Sequence, residues 1–110
     1  MIRVYATKRG EKYRLFVTGH AEKTGEGSLV CAAVSALVEA LVLFAEQNPA
    51  CRYVRVGLDR GYAFLSCRYG LNDTFAMTVA ALRRLADEHP THLCFMQADA
   101  VDDRACRCVL

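Results

Sequence analysis

Between Leu29 and Ala45 the chain reads LVCAAVSALVEALVLFA, a run whose single charge is Glu39. Wound as a helix it is apolar on nearly every side, and such a helix demands burial all round. A soluble chain meets that demand by placing the helix centrally, with a sheet on one face and a second layer on the other. A membrane span is the rival reading. The run is slightly short for one, and a carboxylate near its middle is costly in lipid, so no membrane is expected. A single sheet covers one helix face only, so the second layer is expected to be a partner subunit, making the protein a homodimer. Ser28 is the expected N-cap. Asn48-Pro49 ends the helix, because proline disfavours helical geometry in the residue before it.

The flanking segments supply the sheet. Residues 2–7 alternate, with Ile2, Val4 and Ala6 on one face, and residues 12–18 alternate again, with Tyr13, Leu15 and Val17 together. The intervening KRGE makes this a hairpin. Residues 52–58 and 62–69 form a second hairpin around Asp59-Arg60-Gly61. Residues 72–88 read as a second helix, capped by Asn72 or Asp73, striped by Phe75, Val79, Leu82 and Ala86, and ended by Pro90. Residues 92–97 give a last strand, and residues 21–27 between strand and helix an exposed, mobile loop. The order β-β-α-β-β-α-β predicts an α/β fold, a ββαββα-β sandwich with a mixed sheet and two main helices. With 110 residues, 54% of them apolar, the chain is expected to be one domain over residues 1–110, with a mobile tail from about Asp99.

The charge balance, 14 Lys+Arg against 12 Asp+Glu, is too even to argue for a nucleic-acid partner, and none is expected. The six cysteines are Cys31, Cys51, Cys67, Cys94, Cys106 and Cys108. The opening MIRVYATKRG lacks the apolar core of a secretory leader, and several cysteines sit in apolar segments, so a cytoplasmic chain with reduced thiols is expected. The terminal CRC has no partner knuckle, and His89 and His92 flank Pro90 with no second Cys/His pair. No metal and no cofactor are expected.

One pair carries chemistry. His20 follows the second strand, and Cys31 falls in the first turn of a helix capped at Ser28. Unpaired N–H groups and the helix dipole there favour a thiolate, and a nearby imidazole can act as its base. The same N–H groups can hold an oxyanion. Ser35 lies one turn beyond Cys31 on the same helical face. Gly25 and Gly27 form a turn before the helix, without the lysine of a phosphate loop. Spacing alone leaves the plain alternatives open: Cys31 as an inert core thiol, His20 as a solvated strand-end residue, Ser35 bonded to its own helix.

The stretch Thr18-Gly19-His20-Ala21, then a glycine-bearing loop, then LVCAAVSAL over residues 29–37 resembles the ribosomal-processing cysteine proteases, the Prp family. The opening MIRVY with Gly10, and Leu82 to Phe95 with His89-Pro90, resemble the family's first hairpin and its last helix and strand. The resemblance implies a cytoplasmic, homodimeric cysteine endopeptidase that removes the N-terminal extension of a large-subunit ribosomal protein. It implies Cys31 as nucleophile and His20 as base, with Gly19, Ser28 and Ser35 as supporting positions of the motif. Two departures stand out. The family has Asp where this chain has Ser28, which offers no carboxylate to orient His20 or to hold a basic substrate residue, and the loop is about one residue shorter. They motivate the alternative of a non-catalytic, ribosome-associated binding module of the same fold.

Overall fold

In the computed structural model, which describes residues 1–22 and 25–97, the two alternating N-terminal runs form β1 (Ile2–Arg9) and β2 (Lys12–Thr18). They turn at Gly10, whose φ of 57° is left-handed and suits glycine. Their antiparallel register sets Val4 opposite Val17 and Ala6 opposite Leu15. Ile2, Val4, Ala6, Tyr13, Leu15 and Val17 therefore share one face, and all are buried. Then come α1 (Gly25–Gln47), β3 (Arg52–Asp59), β4 (Tyr62–Arg68), α2 (Asn72–Glu88) and β5 (Leu93–Gln97). The sheet order is β3-β4-β2-β1-β5, with β5 parallel to β1 and every other pairing antiparallel. The expected mixed-sheet α/β sandwich is the observed one. Both helices lie on the face bearing Val4 and Leu15, and one core joins Val30, Val34, Val38, Val42, Phe75 and Leu82 to the strands. Among the described residues no helix covers the opposite face.

Three boundaries differ from expectation for identifiable reasons. Helix α1 starts at Gly25, one turn before Ser28, with Gly25 in the left-handed region at φ 60°. Its first turn lies so close to the preceding chain that a Cβ on Gly27 would overlap the Glu22 backbone. Ser28 is therefore an exposed residue inside the first turn, not the cap. The loop is shorter than expected and not uniformly exposed, since Ala21 is buried. In α2 the cap position is Leu71, without a side-chain cap, while Asn72 and Asp73 are already helical.

The burial of α1 also differs. One stripe, Val30, Val34, Val38, Leu41, Val42 and Ala45, faces the core. The other side holds Leu29, 73% exposed, Leu43, 53%, and Phe44, 41%, with Ala32, Ala36 and Ala40 also exposed. A two-layer fold buries one helix face, so burial all round is not reached within one chain. At 23 residues, with a mean hydropathy of 2.3 over an 18-residue stretch of it, α1 is long and apolar enough to cross a membrane, against the expectation that it is short. The added residues at its ends are polar or glycine, and the Val30–Ala45 stripe packs on the sheet. The tail from Asp99 and the CRC sequence lie outside the described residues.

Candidate active site

Strand β4 pairs with β2 rather than with its chain neighbours alone, setting Tyr62 opposite Thr18. The β3–β4 turn, far off in sequence, therefore arrives beside the end of β2. There the Gly19 N–H donates to the Gly61 carbonyl at 3.0 Å. On the other side the Met1 ammonium donates to the His20 carbonyl oxygen at 2.6 Å. Gly19 has φ 94°, and a Cβ there would overlap the Met1 carbonyl oxygen. The backbone bearing His20 is thus clamped between the N-terminus and the turn. Its imidazole rests on Gly61, where a Cβ would overlap Nε2.

Cys31, half-buried, projects from the second turn of α1. This corrects the first-turn expectation, because the helix starts at Gly25, about 9 Å earlier along its axis at ~1.5 Å per residue. The free N–H groups belong to the first turn and do not adjoin the thiol, so neither thiolate stabilisation nor an oxyanion hole follows from them. What the fold does provide is a common cleft. His20, Cys31, Ser35, Glu39, Asp59 and Arg60 all line one cavity of about 280 Å³, with Gly19 and Gly61 at its wall. Cys31, Ser35 and Glu39 reach it as successive turns of one α1 face. Ser28 does not line it. No hydrogen bond joins His20 to Cys31, and among the described residues no carboxylate stands within ion-pair range of the His20 ring. Asp59 instead accepts the Arg60 N–H at 2.7 Å.

Sequence reasoning missed Glu39, Asp59, Arg60 and Gly61 as cleft residues. Glu39 was legible only as a charge in an apolar helix, and its spacing of two turns from Cys31 was the available signal. Asp59-Arg60-Gly61 was legible as a turn, but its neighbour was not, because the β2–β4 pairing is non-local. Gly61 is expected to be a positioning residue. Gly61→Ala strains a left-handed position at φ 73° and pushes against the imidazole. Any reaction that uses the His20 imidazole is expected to fall about 100-fold, as for a displacement of a reacting group by ~1 Å. Kinetics of the folded variant check this.

The other thiols and histidines sit elsewhere. Cys51 and Cys67 are buried free thiols; burial pushes both upward, Cys67 to about 11, which keeps them protonated and unreactive near neutrality. Cys94 is disulfide-bonded, so the expectation of reduced thiols fails at that position. His89 and His92 are not bare loop residues. His89 contacts the Glu26 carboxylate, and His92 Nε2 lies 3.8 Å from it, tying the start of α1 to the end of α2. The His89 bond holds the Glu26 carboxyl below its ordinary range. Among the described residues no group of three His, Cys, Asp or Glu side chains is placed to hold a metal ion.

The family model described as cysteine protease Prp matches residues 1–93 of the chain. Solved structures with the same fold include the essential ribosomal processing protease Prp from S. aureus in complex with a covalently linked product peptide. That chain is 21% identical, with a TM-score of 0.73, covering 89% of this chain and 100% of the other. SMU.848 from Streptococcus mutans is 24% identical, with a TM-score of 0.67, covering 90% and 98%. The S. aureus protease in complex with a substrate peptide is 20% identical, again at 0.67, covering 89% and 100%. No curated protein sequence matches the chain.

Proposed function

The chain belongs to the cysteine protease Prp family, and from that premise we propose that it cleaves peptides with Cys31 as nucleophile and His20 as general base. The observation that carries this reading is the single cleft holding the thiol, the imidazole and the Ser35 hydroxyl, with the clamped Gly19-His20 backbone at its wall. Sγ of Cys31 attacks the scissile carbonyl carbon while its proton passes to His20. The amine leaves with that proton, an acyl thioester remains on Cys31, and water activated by His20 releases the acid. Because the pair is not hydrogen-bonded in the free chain, bound substrate must draw the two together; catalytic hydrogen bonds commonly tighten only in the complex. Ser35 offers the cleft a hydroxyl beside the thiol. Glu39 and Asp59 line the same cleft and offer carboxylates to a basic substrate residue, though not to the His20 ring.

The substrate in this reading is the N-terminal extension of a large-subunit ribosomal protein. The similarity to a protease described as ribosomal-processing, solved with substrate and product peptides, supports it. Incubating the purified chain with the extended ribosomal protein is expected to yield one N-terminally shortened product by intact mass. An intact ribosomal protein, alongside cleavage of an unrelated peptide, would remove this substrate.

The reading places the protein in the cytoplasm, as its resemblance to the ribosomal-processing proteases implies, with the bonded Cys94 an exception to the reduced thiols of that compartment. It also makes the protein a homodimer through the exposed α1 side. Leu29, Ala32, Ala36, Ala40 and Leu43 follow helical spacing, and so continuous an apolar stripe favours a covering partner. Sedimentation is expected to find a dimer for the parent chain and a monomer for Leu43→Glu. A parent that sediments as a monomer contradicts the dimer.

A further inference from the structure

The sheet face away from the helices has an ordered pattern of its own. Phe64, Phe16 and Tyr5 are neighbours in register across β4, β2 and β1. Their ring centroids lie 6.4 Å and 5.9 Å apart, and Tyr62 joins Phe16 at 5.4 Å. The row is partly open to solvent. The next register along the same face aligns Arg55, Ser66, Arg14 and Thr7, and the one beyond aligns Arg52, Arg68, Lys12 and Arg9. All five of these arginines are exposed, and none is ion-paired among the described residues. The one carboxylate that register places on this face is Asp59, at its far corner. Most of the other described carboxylates, Glu26, Glu39, Glu46, Asp73, Asp87 and Glu88, lie on the helices. The even total charge, from which no nucleic-acid partner was expected, thus conceals a basic sheet and an acidic helical layer.

We propose that this face binds single-stranded RNA, with bases stacked on the Tyr5–Phe16–Phe64 row and phosphates on Arg14, Arg55 and Arg68. Rings on an open sheet take the π-face of any base, and a basic margin beside them follows the backbone. Unpaired arginines are suited to phosphate, which they grip in a bidentate fork. A second copy of the chain is disfavoured on this face, since it would set arginines against arginines. Thr7 and Thr18 flank the aromatic row in register and offer hydroxyls to the ribose 2′-OH, the group that distinguishes RNA from DNA. The site lies on the layer opposite the α1 stripe and rests on none of the catalytic assignments.

Fluorescence anisotropy of a short labelled oligoadenylate, as RNA and as DNA, against the full chain tests the proposal. Saturable binding is expected for the RNA and weaker binding for the DNA. Arg14→Gln with Arg68→Gln, both exposed and outside the cleft, is expected to weaken RNA binding at least about tenfold. It should also reduce the log–log salt slope by about 1.4, at ~0.7 per phosphate contact on a single strand. Phe16→Leu is expected to weaken binding about 5- to 100-fold, the range for losing a stacked base. Peptide cleavage by the arginine variant should be unchanged. Absence of binding, binding unaffected by the arginine pair, or equal affinity for the DNA would overturn the proposal. A parent dimer that the arginine pair dissociates, with no RNA bound by the parent, overturns it in favour of a self-interface.

Discussion

Cys31→Ala is expected to reduce peptide cleavage by at least about 10⁴-fold while leaving the fold intact. No other described thiol can take over. Cys51 and Cys67 are buried in the core, with burial holding their protons on, and Cys94 is bonded. Alanine keeps the helix, and a half-buried Cys31 leaves little to repack. His20→Ala is expected to cost about 10²- to 10⁴-fold, the usual contribution of a positioned base. The double variant should be no slower than Cys31→Ala alone, because members of one catalytic unit are not additive. Ser35→Ala, with a hydroxyl that only assists, is expected to stay within about tenfold. Measured kcat/KM on one peptide for the four variants checks the set.

Gly19→Ala is expected to be the most damaging change outside the reacting groups. The residue has φ 94°, where an L side chain costs about 1–3 kcal/mol. The added Cβ would also overlap the Met1 carbonyl oxygen, a backbone atom that has no rotamer to escape into. The N-terminus must then lift, giving up its bond to the His20 carbonyl. A destabilisation of about 2–4 kcal/mol is expected, read as a drop in Tm, together with a loss of cleavage near 100-fold at temperatures where the variant stays folded. Gly10→Ala serves as the comparison. Its φ of 57° is also positive but lies in the left-handed helical region, with nothing near the added Cβ, so it should cost only about 1–2 kcal/mol and leave cleavage unchanged.

Two other glycines, Gly61 and Gly27, show how far the sequence could be read. Strands β1 and β2 declare themselves by alternation, because every second residue enters one core face. The second hairpin is marked by Gly61, and α2 by its Phe75–Leu82 stripe. The start of α1 was less legible. Ser28 is a plausible cap in isolation, but the helix begins earlier because Gly27 lets its first turn pack on the Glu22 backbone, a contact no local pattern encodes. That one-turn shift moved Cys31 from the first turn to the second. The candidate thiol was nevertheless legible, through the likeness of GHA and LVCAAVSAL to a family, where position on a helix alone favoured a buried structural thiol. The rest of the cleft depends on which strands pair. Asp59, Arg60 and Gly61 reach His20 only because β4 crosses to β2, and pairing between non-consecutive strands is set by the whole sheet. The basic face was hidden for a related reason: net charge sums over layers that the fold separates.

The central claim is that Cys31, served by His20, forms the acyl bond in this cleft. A chloromethyl ketone built on the N-terminal side of the proposed cleavage site tests it, with the labelled protein digested and mapped by mass spectrometry. The account predicts a single adduct on Cys31, formed at least about tenfold more slowly in His20→Ala, where the thiol has lost its base. An adduct on Cys51 or Cys67 instead, or labelling of Cys31 at the same rate without His20, would contradict it.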